Sequence, residues 1–282
     1  MFNGDLKKNA LDQLEKARSR QVLVAADVET ACTELHAVRH HVSTELMKNV
    51  ETFISHLAHS PKEFAKSYST FKAEAQSFCG LVKKLNIEAA NVEFTAGSSA
   101  AAGVAAGVGT AAFAPTAAMA VATTFGTAST GAAISGLTGA AATNAALAWL
   151  GGGALAAGGG GMSAGSALLA LAGPVGWGIG GVAIVGGGLY ARSKNRKIAE
   201  EANEHRAQIE GSTRTLNVAK TWVGRMIAST VQHANGMEEF LGVLMRTAPG
   251  NYSLFNAGQK DMLAALINHM NALSQLLNKA PE

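Results

Sequence analysis

Leu35, Val38, Val42, Leu46, Val50, Phe53 and Leu57 recur at spacings of three and four residues, which lines them along one face of a helix. The stripe stops at Ser60, Pro61, Lys62 and Glu63, a pattern that predicts a helix start. Ser60 is placed to cap, Pro61 suits the first turn, and Glu63 would complete a capping box. A second stripe follows in Phe64, Tyr68, Phe71, Ala75, Phe78 and Val82, so the two predicted helices can fold back as a hairpin. In the last third of the chain Ala202, Ile209, Leu216 and Val223 fall seven apart, with Ala219 and Met226 at the intermediate position. His205 and Ser212 interrupt that second row, which favours a long amphipathic helix in a bundle over a strict coiled coil. Pro249, Gly250 and Asn251 break the pattern, and Leu263, Leu266, Ile267, Met270, Leu273 and Leu277 make a final helix.

Between these stripes the charges disappear. No Asp, Glu, Lys, Arg or His lies between Glu93 and Arg192, which leaves 98 residues uncharged, and that stretch holds 24 of the 32 glycines. The chain therefore divides into an N-terminal amphipathic arm (1–93), an uncharged Gly/Ala-rich segment (94–191) and a C-terminal amphipathic arm (192–282). The expected fold class is all-α: an amphipathic helical bundle enclosing a long uncharged Gly/Ala-rich helical hairpin.

Composition sharpens this division. Only 15% of the 282 residues are charged, yet outside the centre the fraction is about 23%, close to the usual value of about 25%. A formal net charge of +3, with 23 basic and 20 acidic residues, carries no nucleic-acid signature. Two cysteines cannot build a disulfide scaffold, and Cys32 and Cys79 read as small apolar residues within helical stripes. The charged opening from Met1 to Arg20 lacks the apolar core of a signal peptide, so the expectation is cytoplasmic synthesis, with the inner membrane or a target membrane as the site of insertion.

A spanning helix needs about 20 mostly apolar residues, so the centre has room for up to about four crossings. The best span is 167–191, which ends at four basic residues, Arg192, Lys194, Arg196 and Lys197. Together with Trp149, Trp177 and Tyr190 these are the expected interface anchors. Gly103 with Gly107, Gly161 with Gly165, and Gly176 with Gly180, extended by Ala172, are small-residue pairs four apart, a spacing that lets helix backbones approach closely in lipid. Only 22 of the 98 central residues are Leu, Ile, Val, Phe or Met, and each contributes about −0.3 to −0.6 kcal/mol to insertion. Such a weak drive suits conditional insertion better than permanent residence in a bilayer.

Motifs for catalysis are few. Gly176 to Gly181 matches GxGxxG, with Glu200 and Glu201 about 20 residues on, but no strand precedes it and no βαβ alternation follows. There is no P-loop and no GxSxG elbow. The eight histidines all lie in the arms. His36 and His40 stand one turn apart without an acidic companion set, and the plain expectation is a solvated helix flank. Protonating all eight would raise the formal charge from +3 to +11 and favour an anionic membrane. No enzyme activity, cofactor or metal is expected.

The run Gly126 to Gly131 (GTASTG), then Ala140 to Trp149 (AAATNAALAW) and the glycine-rich stretch to Gly165, resembles a segment of bacterial proteins with glycine-rich membrane hairpins. The plan as a whole is similar to helical pore-forming proteins: colicin pore domains, cytolysin A-type toxins and the apolipoprotein L family. That resemblance implies a shielded hairpin that enters the bilayer. The leading expectation is a latent, membrane-inserting toxin or defence effector that forms pores or remodels membranes as a homo-oligomer. Its partners would be the lipid bilayer and an activating or inhibiting protein, with no nucleic acid, and its arms are expected to form an antiparallel bundle over the centre. The alternative is a constitutive membrane-anchored scaffold that binds a partner through its helical arms.

Overall fold

The computed structural model describes residues 2–95, Thr124 and residues 192–279, and these are all-α. Helix α1 (Phe2–His41) passes through a π turn (Val42–Leu46) into α2 (Met47–His56), and α3 (Lys62–Thr95) returns beside it. Helix α4 (Arg192–Thr247) is followed by a 3-10 turn (Tyr252–Leu254) and α5 (Ala257–Leu276). The hairpin expected at Ser60 and the break at Pro249 are both present.

Two hairpins thus lie side by side, and their relative sense corrects the expectation of an antiparallel bundle of arms. Arg206 reaches Gln13 and Lys220 reaches Asp27, each across 193 residues, and a constant sequence offset means that α1 and α4 run parallel. Within each hairpin the helices are antiparallel, as shown by Lys72 with Glu51 and Cys79 with Ser43 in the first and His233 with His269 in the second. The two hairpin loops are pinned together at one end of the bundle. Ala58 donates to the Gly250 carbonyl at 2.8 Å and accepts from the Tyr252 amide at 2.9 Å, forming a parallel bridge to Asn251.

The main core fills the four-helix half nearest those loops. Val42, Leu46, Val50 and Phe53 meet Phe64, Phe71 and Ala75 of α3, Met237, Leu241 and Leu244 of α4, and Leu263, Leu266, Met270 and Leu273 of α5. Ala202, Ile209, Leu216, Ala219, Val223 and Met226 are also buried, so the seven-residue spacing does mark the inward face of α4. Toward the other end the buried α1–α4 contact consists of small residues, Ala10 with Ala199 and Ala202, flanked by the partly buried Leu11 and Leu14. Small contacts bury little apolar area, at about 25 cal/mol per Å², so that end is bound more weakly than the four-helix half.

The capping box is not where Ser60 suggested. Ser60 Oγ is buried without a hydrogen-bond partner, and the Ala65 amide instead donates to the Pro61 carbonyl. Proline fixes its own φ for helix entry, so the first turn closes on Pro61 without a side-chain cap. The box belongs to α5: the Asn256 side chain accepts from the Gln259 amide at 2.9 Å, and the Gln259 side chain accepts from the Asn256 amide at 3.1 Å.

Candidate functional site

Cys32, His36, Arg39 and Ser43 fall at spacings of four, three and four along α1 and into the π turn, which places them on one face, and all four are buried. They form a polar seam beside the apolar stripe, whose Leu35, Val42 and Leu46 are buried as expected. The stripe runs through Arg39, 1% exposed, while Val38 is only partly buried at its edge.

Arg39 carries the seam's charge and has a physical reason to be there. Its Nη2 donates to the carbonyls of Leu276 at 2.8 Å and Lys279 at 2.7 Å, at the C-terminal end of α5. The Leu276 carbonyl also accepts from the Lys279 amide at 3.4 Å, and the partial negative charge at this helix end compensates the guanidinium. Burial pulls the Arg39 pKa down to about 10, which still leaves the group charged at neutral pH. Ser43 sits in the π turn, where the Met47 amide reaches the Val42 carbonyl five residues back, and the Cys79 thiol donates to the Ser43 carbonyl at 3.9 Å. One extra residue per turn re-aims the helix between its two packing environments.

His36 corrects the expectation of a solvated flank. Its ring lies 5.5 Å from that of Phe78 and 6.5 Å from that of His40, and burial, helped by the charges of His40 and Arg39, pulls its pKa down to about 4. Nδ1 of His36, Nε of Arg39 and Oγ of Ser43 have no hydrogen-bond partner. Beyond them Cys32 is fully buried, and burial pushes its thiol up to about 12 against the opposing pull of Thr124 and Arg39. The thiol is therefore protonated at neutral pH and a poor nucleophile. What the seam offers is hydrogen bonding and one compensated charge.

Thr124 belongs to the uncharged centre and is 1% exposed, and its side chain hydrogen-bonds Cys32. A residue 29 positions beyond the end of α3 is thus buried against the arm.

A second cluster joins α4 to α5. Nδ1 of His233 and Nδ1 of His269 are 3.0 Å apart, within hydrogen-bond distance, and burial followed by the neighbouring His233 lowers the His269 pKa. Gly236 makes room for the His269 ring: a Cβ there would lie 2.5 Å from Cε1. Across the α1–α4 contact His41 Nε2 meets Glu238 at 2.8 Å, with both side chains half exposed.

Of the residues singled out in the sequence, Gly103, Gly107, Gly161, Gly165, Ala172, Gly176, Gly180, Trp149, Trp177 and Tyr190 lie outside the described residues. So does the GxGxxG run. Arg192, Lys194, Arg196 and Lys197 open α4, with Arg196 and Lys197 exposed. Among the described residues no helix is long and apolar enough to cross a membrane, and no group of three or more His, Cys, Asp or Glu is gathered for a metal. The seam went unread because its members look like ordinary surface or filler residues one at a time. The signal was Arg39 midway between Leu35 and Val42, a charge on the buried face. Comparisons with protein-family models, curated proteins and solved structures return no significant match.

Proposed function

We propose that this chain is a membrane-inserting protein whose helical arms shelter its uncharged centre until a trigger releases it, after which it permeabilises or remodels a bilayer as a homo-oligomer. The observation that supports the reading is the burial of Thr124 against Cys32, which brings one residue of the uncharged stretch to the core of a charged bundle. Two further features support it. The centre has 98 residues without a charge but only 22 strongly apolar ones, so packing on the arms competes with lipid for the same surface. The polar seam leaves three polar atoms unpaired on the same buried face as Cys32, which makes the core that Thr124 joins less favourable than an all-apolar one. A bacterial toxin or defence effector is the role that suits such a latent inserter.

The test is made on the full chain. Expression followed by carbonate extraction should yield protein that is first recovered without detergent and becomes extraction-resistant only after incubation with vesicles that then leak an entrapped dye. Material that is membrane-bound from synthesis and never causes leakage would instead identify a constitutive anchored scaffold.

A further inference from the structure

We propose that the end of the bundle where α1 and α4 both begin is a docking face for an anionic lipid surface, so that the latent protein is captured end-on before its centre inserts. This rests on the membrane-inserting reading and names the lipid class that the protein meets first.

The parallel sense of α1 and α4 creates this face. With an offset of 193 residues, the start of α4 lies level with the start of α1, at the end of the bundle away from the pinned loops. The first charged positions of α4 are Arg192, Lys194, Arg196 and Lys197, with no acidic residue in the first turn, and Arg196 and Lys197 are exposed. Lys7 and Lys8 stand behind them on α1, and Asp5 is the acid of that helix's first turn. Glu200 and Glu201 come level with Lys7 and Lys8, about 12 Å inward of Arg192 at 1.5 Å per residue, so charge is balanced at that level and the excess of basic residues lies in the opening stretch of α4.

Four basic residues at a helix N-terminus oppose the helix dipole, a placement that weakens the helix and calls for a reason outside it. Arg196 is paired with Glu200 at 2.9 Å, but this is an exposed pair one turn apart, and such pairs are readily exchanged for other partners. The residue before Arg192 is the last of the uncharged run, so an inserted segment would re-emerge beside these charges. That continuity favours a bilayer over a nucleic acid, for which the chain's net charge of +3 offers no extended basic track.

The experiment is co-sedimentation of the full-length protein with vesicles of phosphatidylcholine alone or mixed with phosphatidylglycerol, at low and high salt, with dye release read from the same samples. Wild type should bind the mixed vesicles preferentially and lose that preference in salt. Replacing Arg192, Lys194, Arg196 and Lys197 together by Gln should reduce partitioning by about five-fold per residue, on the order of several hundred-fold in all. A control that replaces Lys48, Lys62, Lys66 and Arg246, which removes the same charge from the loop end, should retain most of the binding. Gln at the start of α4 relieves the opposition to the dipole, so the thermal midpoint of the first variant should not fall, which separates lost docking from lost folding.

The proposal is overturned by equal binding to both lipid compositions, by a control variant that loses as much as the first, or by tighter binding of the same end to a short single-stranded DNA. Leakage from neutral vesicles that is indifferent to the four substitutions would sink the docking face and leave insertion standing. Charge-dependent binding without leakage would do the reverse.

Discussion

Acid should weaken this fold through His36, and the size of the effect follows from its surroundings. The ring is 7% exposed, packed on Phe78, with Arg39 and His40 one turn away on its own helix and the Leu276 and Lys279 carbonyls already committed to Arg39. Its pKa is about 4 in the fold against 6.5 as the reference value, so the folded protein keeps it neutral while the unfolded chain takes up a proton. Stability is therefore fully present above about pH 6.5, falls as the pH drops through the window, and levels off below the folded value. Between neutral pH and about pH 4.5 the linkage relation gives a loss of about 2.5 kcal/mol from this group, an upper figure because solvent reaches part of the ring. The assay is urea unfolding of the full chain, followed by circular dichroism, across that pH range for wild type and His36→Leu. Leucine fills the space against Phe78 and, because His36 Nδ1 has no partner, it orphans nothing. His269 is lowered too and adds a loss of the same sign, so the quantity to read is the difference between the two proteins. An equal acid loss in both, or a His36 pKa near 6 by NMR titration, would refute the reasoning.

Three other outcomes follow from the geometry. Gly236→Ala puts a methyl 2.5 Å from His269 Cε1, displaces the ring and should cost about 1–3 kcal/mol in denaturant unfolding, with most of the loss recovered when His269→Ala is added. Asn256→Ala removes the side-chain half of the α5 capping box and should cost about 1 kcal/mol, with increased amide exchange at Gln259 as the local readout. Arg39→Met keeps the length of the stem but strips two charge-assisted hydrogen bonds from the end of α5; unfolding should be easier by about 2–4 kcal/mol, and hydrogen exchange should show the loss concentrated in the last turn of α5.

The apolar stripes were legible because helix periodicity is local. Leu35 to Leu57, Phe64 to Val82, Ala202 to Met226 and Leu263 to Leu277 mark inward faces whatever they pack against. The first 27 residues were harder to read, since Ala10, Ala17 and Gln21 occupy the buried positions described there and none stands out by hydropathy. The cap at Ser60 misled for a related reason. A capping box is a sequence pattern that Asn256 and Gln259 satisfy geometrically, whereas at α3 the chain enters through Pro61.

By itself the sequence determined the helical class, the hairpin breaks and the division into charged arms and an uncharged centre, because each depends on residues within a few turns of one another. Only the tertiary structure decided that α1 and α4 run parallel, that both begin at one end, and that Arg39 belongs in the core. An amphipathic stripe looks the same whichever way its neighbour runs, so direction is decided by the packing of the whole bundle. A buried guanidinium is tolerated only because carbonyls up to 240 residues away supply its counter-charge, and nothing near Arg39 in the sequence records that they will be there.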